Sequence, residues 1–287
     1  MSSFYLSALQ LALCLSPMAL GIFISMNVFR IPDITTDGSY TLGASVGAVL
    51  AIGGQPWWVV VPAGMLAGMM AGATTGWIHT KFRIEPLLAG ILVMTGLYSV
   101  NLMIMGRSNI PLIGEAGLLD LSGSSFTSWL ISLSIVGCCC LMLWYLLRTD
   151  FGIAMRASGN NPSMSEVNGM HNDRIKLIGL GMANGLTALS GVLVSQYEGF
   201  TDINMGIGIV ITGLGSVLIS DTLKRWLGIS KIGGRLLLVV MGSLIFQGVL
   251  ALTLSSGVDP NAIKLVTAAF VLVIVGLPKL LQQKRND

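Results

Sequence analysis

Charged positions divide the chain into long, uncharged and mostly apolar stretches. They run 4–29, 38–80, 86–106, 121–147, 177–197, 203–220, 236–258 and 265–278. Crossing a hydrocarbon core of about 30 Å takes roughly 17–25 apolar residues in a helix. Most of these intervals therefore predict one spanning helix each. The interval 38–80 is too long for one helix. It breaks at Gly53-Gly54-Gln55-Pro56, where two glycines and a proline interrupt any helix. The pattern predicts an all-α integral membrane bundle of about nine hydrophobic helices, forming one domain over residues 1–287. Two of them, 38–53 and 203–220, are short and rich in glycine.

Composition agrees with this pattern and excludes the alternatives. Of 287 residues, 53% are hydrophobic, 10% are charged and 36 are glycine, and the mean hydropathy is +0.80. A soluble domain carries roughly 25% charged residues. A soluble enzyme, a disordered chain and a nucleic-acid binder are excluded, and the bilayer is the partner of most of the surface. The net charge of +3 comes without a basic run inside the fold, so no nucleic-acid partner is expected.

Residues 1–3 carry no basic charge, and the first apolar run is too long for a signal peptide, so it is read as a span. The four cysteines, Cys14 and Cys138-Cys139-Cys140, all fall inside predicted spans and imply neither disulfide nor metal. His79 and His171 share no ligand spacing, so no metal site is expected.

Lysines and arginines orient the chain. Loops 79–85, 148–176 and 221–235 and the tail carrying Lys279, Lys284 and Arg285 are basic and are placed in the cytoplasm. The segments 106–120, 198–202 and 255–261 are acidic and are placed outside. Alternation then puts the N-terminus outside and the C-terminus in the cytoplasm. The charges of segment 30–37 (Arg30, Asp33 and Asp37) assign it to neither side.

Three features stand out. In the loop 148–176, Asn161 suits an N-cap, Pro162 the first helical position, Glu166 the early turns and Gly169 the end. This predicts a short helix outside the membrane, too small for a core of its own. It is either a docking element or a solvated connector. Second, Thr36-Asp37-Gly38 and Thr201-Asp202 each precede a short, glycine-rich apolar segment, and the two segments run in opposite directions. Paired broken helices in corresponding halves point to an inverted repeat and a translocation path. Asp37, Ser39, Tyr40, Asp202 and Asn204 are the candidate path residues or helix caps. Gly38, Gly43, Gly206 and Gly208 are the candidates for close approach. Third, Gly64, Gly68, Gly72 and Gly76 recur at every fourth position and make one smooth helix face. Close backbone approach drives helix packing in lipid, so this face is an interface, within the subunit or across a dimer. The chain has no phosphate-binding loop and no nucleophile–base constellation, so energy for any active transport must come from another chain.

The residues of the basic loop also carry a resemblance. Gly152…Arg156-Ala157…Gly159…Asn161…Met164…Gly169-Met170…Asn172-Asp173 resembles the coupling segment of ABC-importer permeases of the branched-chain amino-acid/ribose permease family. Asp33-Ile34-Thr35-Thr36-Asp37-Gly38-Ser39-Tyr40-Thr41-Leu42-Gly43-Ala44 is similar to the pattern of a branch proposed to carry tryptophan or tyrosine. Gly191…Gly199…Asp202…Met205-Gly206…Gly213-Leu214…Leu218-Ile219 resembles the family's second re-entrant region. Ser220-Asp221 departs from it, because relatives often continue the apolar run there.

This resemblance implies a bacterial inner-membrane permease, often a homodimer. An extracytoplasmic binding protein supplies it with a small solute, possibly an aromatic amino acid. A cytosolic ABC ATPase docks on Gly152, Arg156, Gly159, Asn160, Asn161, Met164, Glu166 and Gly169. The ATP and magnesium belong to that ATPase, and this chain binds no cofactor and is no enzyme. An ion-coupled secondary transporter remains the alternative, with an intramembrane enzyme third.

Overall fold

The computed structural model describes residues 2–112, 117–118, 125–257, 262 and 265–273. Ten α-helices and two short strands follow in order. Helix α1 is Ser2–Phe23, prolonged by a π-helical turn over Ile24–Val28; α2 is Thr35–Ile52, α3 Trp57–Phe82 and α4 Pro86–Met105. Strand β1 is Asn109–Pro111. Then come α5 (Ser125–Leu146), α6 (Asp150–Asn160), α7 (Pro162–Val167) and α8 (Asn172–Glu198). Strand β2 is Phe200–Asp202, followed by α9 (Ile209–Leu227) and α10 (Ile232–Ser255). Residues 265–273 are also helical.

Six described helices are long and apolar enough to cross a membrane: α1 with its π-turn, α3, α4, α5, α8 and α10. The described residues do not confirm the expected count of about nine, which included the two short helices. Helix α2 spends Thr35, Thr36, Asp37, Ser39, Thr41 and Ser45 on polar positions, and α9 carries Asp221, Lys224 and Arg225. Gaps between charges register length but not these hydroxyls. The expected ninth span, 265–278, and the acidic segments 106–120 and 255–261 lie partly outside the described residues, and the basic tail lies wholly outside them.

Helices α1 and α8 form the centre of the bundle. Their most apolar windows are each 83% buried, against 22% for α4 and α5 at the periphery. Small side chains allow this crowding. The glycine stripe of α3 lies against α8 within the subunit: side chains at Gly64, Gly68, Gly72 and Gly76 would strike Val192, Ala188, Leu180 and Leu177 in turn. The numbers rise on α3 as they fall on α8, so the two helices are antiparallel. Backbones that approach this closely gain dispersion contacts where lipid supplies no hydrophobic drive.

Helix α2 runs parallel to α8. Ser39 meets Asn184, Gly43 meets Ala188 and Gly47 meets Val192. Pro17 interrupts the ladder of α1. Hydroxyls reach carbonyls close to it: Ser190 donates to Cys14 O at 2.8 Å and Ser243 to Ala12 O at 3.1 Å. Proline is tolerated in a buried span when neighbours satisfy nearby backbone groups in this way.

The basic loops converge on one end of the bundle. Lys176 Nζ lies 3.3 Å from His79 Nε2, Asn27 donates to Asp221, and the Arg235 guanidinium lies 5.1 Å from the centre of the Phe23 ring. At the other end β1 and β2 form an antiparallel ladder that pairs Asn109 with Asp202, Ile110 with Thr201 and Pro111 with Phe200. Ile110 there packs with Ala48, Met105, Leu112 and Ile203. The hydropathy pattern gives no hint of these three-residue strands.

Candidate functional site

The N-termini of the two short helices meet. Asp37 stands in the first turn of α2, and its carboxylate reaches α9. Oδ2 accepts from Gly208 N and Oδ1 from Val210 N, both at 2.9 Å. Gly208 is the N-cap position of α9 and has φ +81°, a left-handed conformation that glycine adopts without strain. It has no side chain with which to cap the helix, so Asp37 supplies the acceptor from a distant part of the chain. Two positive helix ends thus face one carboxylate, which is how an acid only 8% exposed is tolerated at this depth. Close approach completes the junction, because a side chain at Gly206 would strike Asp37 O and Thr41 Oγ1.

A second polar cluster fixes the start of α2. Asn184 lies near the middle of α8 and donates to Asp33 Oδ2 at 2.6 Å. Its amide oxygen accepts from Ser39 Oγ, also at 2.6 Å. Asp33 Oδ1 accepts from Thr35 N at 2.9 Å, and the Thr35 and Thr75 hydroxyls are 2.8 Å apart. All five side chains are buried. Buried polar groups of this kind persist only when mutually satisfied.

Between α2, α4 and the turn before α9 lies a cavity of about 230 Å³. Asp37, Gly38, Thr41, Met94, Thr95, Tyr98, Asn101, Ile203 and Ile207 line it. The structure thus places expected path residues in two groups. Asp37 and Gly38 border the cavity, with Gly206 and Gly208 at the junction beside it. Ser39, Tyr40 and Gly43 lie on the opposite side of α2: Ser39 bonds Asn184, Tyr40 packs into the central core, and Gly43 lies against Ala188. At about 100° per residue, 37, 38 and 41 fall within one sector of α2, and 39, 40 and 43 within another centred roughly opposite it.

Asp202 and Asn204 are also separate from this site. Asp202 ends β2, where Oδ1 accepts from Asn204 N at 2.8 Å, and Asn204 is exposed. Thr41, Met94, Thr95, Tyr98, Asn101 and Asn184 went unnoticed in the sequence. The signal for the two asparagines was present: Asn101 is the lone amide of the uncharged stretch 86–106, and Asn184 lies in the middle of the uncharged stretch 177–197.

The basic loop folds as two helices. Asn161 accepts from Met164 N at 3.1 Å, Pro162 opens α7, and Gly169 has φ +77°. Helix α6 lies where the sequence predicts only loop. Three residues expected to meet a partner attach α6 to the bundle. Gly152 lies against Leu146 and Leu147, and Gly159 against Val28 and Phe29. Arg156 donates to Gly152 O at 3.3 Å and to Leu147 O at 3.2 Å. Leu147 follows the last residue of α5, where a helix end leaves carbonyls without intrahelical partners. Asn160, Asn161, Met164, Glu166 and Gly169 remain exposed. Met164 and Val167, 59% and 83% exposed, form an apolar pair on a polar segment.

A glycine-packed bundle of apolar helices with two short helices joined end to end defines a multi-pass membrane protein. Comparison with known proteins makes this specific. Residues 4–276 match the family described as branched-chain amino acid transport system / permease component, and the chain belongs to that family. It is 38% identical to a tyrosine transport system permease protein of Clostridioides difficile (strain R20291), over 94% of this chain and 90% of that protein. It is 25% identical to the ribose import permease protein RbsC of Haemophilus influenzae, over 70% and 64% of the two chains. A solved structure described as an inward-facing conformation of a putative metal-chelate type ABC transporter superposes with a TM-score of 0.51. It does so at 13% identity, over 98% of this chain and 85% of that one, and supports the fold alone. The chain is accordingly the permease subunit of an ABC transporter from a family of sugar and amino-acid importers.

Proposed function

We propose that this permease imports a small amino acid, tyrosine or a close aromatic relative, along a path beside the junction of α2 and α9. The observation that carries this reading is the Asp37 carboxylate capping α9 from α2 at the edge of a cavity. Broken helices joined at mid-bundle are where transporters position substrate. The tyrosine transport permease of C. difficile, 38% identical, supports the substrate class.

In this reading two copies enclose the path, in a bacterial inner membrane. The basic end, with α6 and α7, faces the cytoplasm, so the N-terminus lies outside and the C-terminus inside. A separate ATPase binds ATP and magnesium and docks on α7, with Met164 and Val167 as its apolar contact. An extracytoplasmic binding protein delivers the solute to the β1–β2 end. Closure of the ATPase pair moves α7, and Gly152, Gly159 and Arg156 transmit that motion to α5 and α1 as a rigid body. The permease itself performs no covalent chemistry.

The test is reconstitution with the copurifying ATPase and binding protein, and measurement of labelled tyrosine uptake. The reading expects uptake that needs ATP and survives collapse of ion gradients. Uptake that persists without the ATPase and vanishes with the gradient establishes the ion-coupled alternative instead.

A further inference from the structure

The lining of the cavity beside Asp37 carries information about the solute itself. Asn101 of α4 is 1% exposed and borders the cavity. Its side-chain nitrogen donates to Gly38 O at 3.3 Å, while its amide oxygen is buried without a partner. The orientation of the amide is fixed by its neighbour: rotating it by 180° would set two carbonyl oxygens against each other. A buried acceptor without a donor is unfavourable. Such a cost at a lining position is recovered when a ligand brings the donor.

The rest of the lining states which donor. Asp37 contributes a carboxylate, and Lys, Arg and His are absent from the lining residues. Met94, Ile203, Ile207 and the face of Tyr98 are apolar or aromatic. An anionic head finds no cation here, whereas an ammonium finds an amide oxygen, a carboxylate and an aromatic face. Two helix ends already offset much of the Asp37 charge, so Asn101 is the discriminating group.

We propose that this cavity is a recognition site of the permease itself, in which Asn101 accepts a hydrogen bond from the ammonium group of an amine with an apolar or aromatic body. The proposal deepens the import reading above and rests on it for the class of solute. It assigns the permease a choice at the amine end of its substrate, independent of any choice made by a binding protein.

Thr95 lines the cavity and serves as the reporter position. The full chain, in membranes, carries Thr95→Cys with Cys138 and Cys140 replaced by alanine. Modification by a small maleimide is timed with tyramine, with L-tyrosine and with 3-(4-hydroxyphenyl)propionate, which lacks the amine. Tyramine at about ten times its Kd slows modification by about tenfold, the factor 1 + [L]/Kd. Tyrosine also protects, and the propionate does not. Adding Asn101→Leu removes tyramine protection while the unprotected rate stays the same. Adding Asn101→Asp retains it. Equal protection by the propionate, no protection by any compound, or full tyramine protection in Asn101→Leu overturns the proposal. The comparison of tyramine with the propionate needs no Asn101 variant and decides the matter if Asn101→Leu fails to fold. Uptake lies outside this assay: intact protection with gradient-driven uptake refutes only the import reading, and absent protection with ATP-driven uptake refutes only the recognition site.

Discussion

The two short helices share one carboxylate but are secured in different ways. Helix α2 is buried over most of its length, pressed between α3, α4 and α8 with glycine or alanine at the contacts. Helix α9 packs chiefly on α10, where Gly215 meets Phe246 and Gly242 meets Ser216. Its N-terminus depends on Asp37, and its far end is open, with Trp226 82% and Leu227 61% exposed. One helix is thus part of the core, and the other is attached to the core at a capped end. The contrast makes α2 the fixed wall of the junction and α9 the less enclosed one.

The largest effect is expected where the fixed wall is anchored. Asn184→Leu leaves Asp33 Oδ2 buried without its amide donor and leaves the Ser39 hydroxyl only the longer contact to Thr36 O at 3.3 Å. A buried polar group left unpaired costs about 1–3 kcal/mol, and more when it carries charge. The variant should lose most of its folded yield, read by thermal unfolding in detergent. A melting temperature equal to that of wild type would show that α2 does not depend on this cluster. Gly68→Leu comes next, because its side chain would strike Ala188 and the Asn184 carbonyl. Overpacking of this kind costs about 1–3 kcal/mol. A variant as stable as wild type would show that α3 and α8 can separate without loss.

Asp37→Ala acts on the less enclosed helix. It removes an ionised acceptor of two backbone N–H groups, a loss of about 1.5–3 kcal/mol for hydrogen bonds to charged groups. The bundle should still assemble, because α2 keeps its contacts with α8, but uptake should fall far more than yield. Parallel losses of yield and uptake would make Asp37 a structural residue of the whole fold. Asp202→Asn should change stability by no more than about 0.5 kcal/mol and leave uptake near wild type, since Asp202 sits on the outer strand. A strong transport defect would reinstate it as a path residue.

Local features of the fold were legible in the chain. The break at Gly53–Pro56, the Asn161–Pro162 cap and the glycine stripe of α3 follow from local rules, and each appears where those rules put it. Asp37 and Asp202 looked equivalent because both follow threonine before a glycine-rich segment. The structure separates them: Asp37 caps a helix that begins about 170 residues later, while Asp202 turns back on its own loop. A capping rule looks a few residues ahead and cannot see that distance. The same limit hid the Asp33–Asn184 pair, and Arg156 read as a surface charge until its carbonyl partners were placed. Counting only charges and glycines also passed over Asn101, an uncharged amide buried in an apolar helix.

Amide hydrogen exchange at residues 206–211, read residue by residue in nanodiscs, tests the junction most directly. Exchange at Gly208 and Val210 should be slow in the native protein, faster in Asp37→Ala and unchanged in Asp202→Ala. Equal exchange in the native protein and Asp37→Ala, or acceleration by Asp202→Ala alone, would contradict the claim that the carboxylate of α2 caps α9.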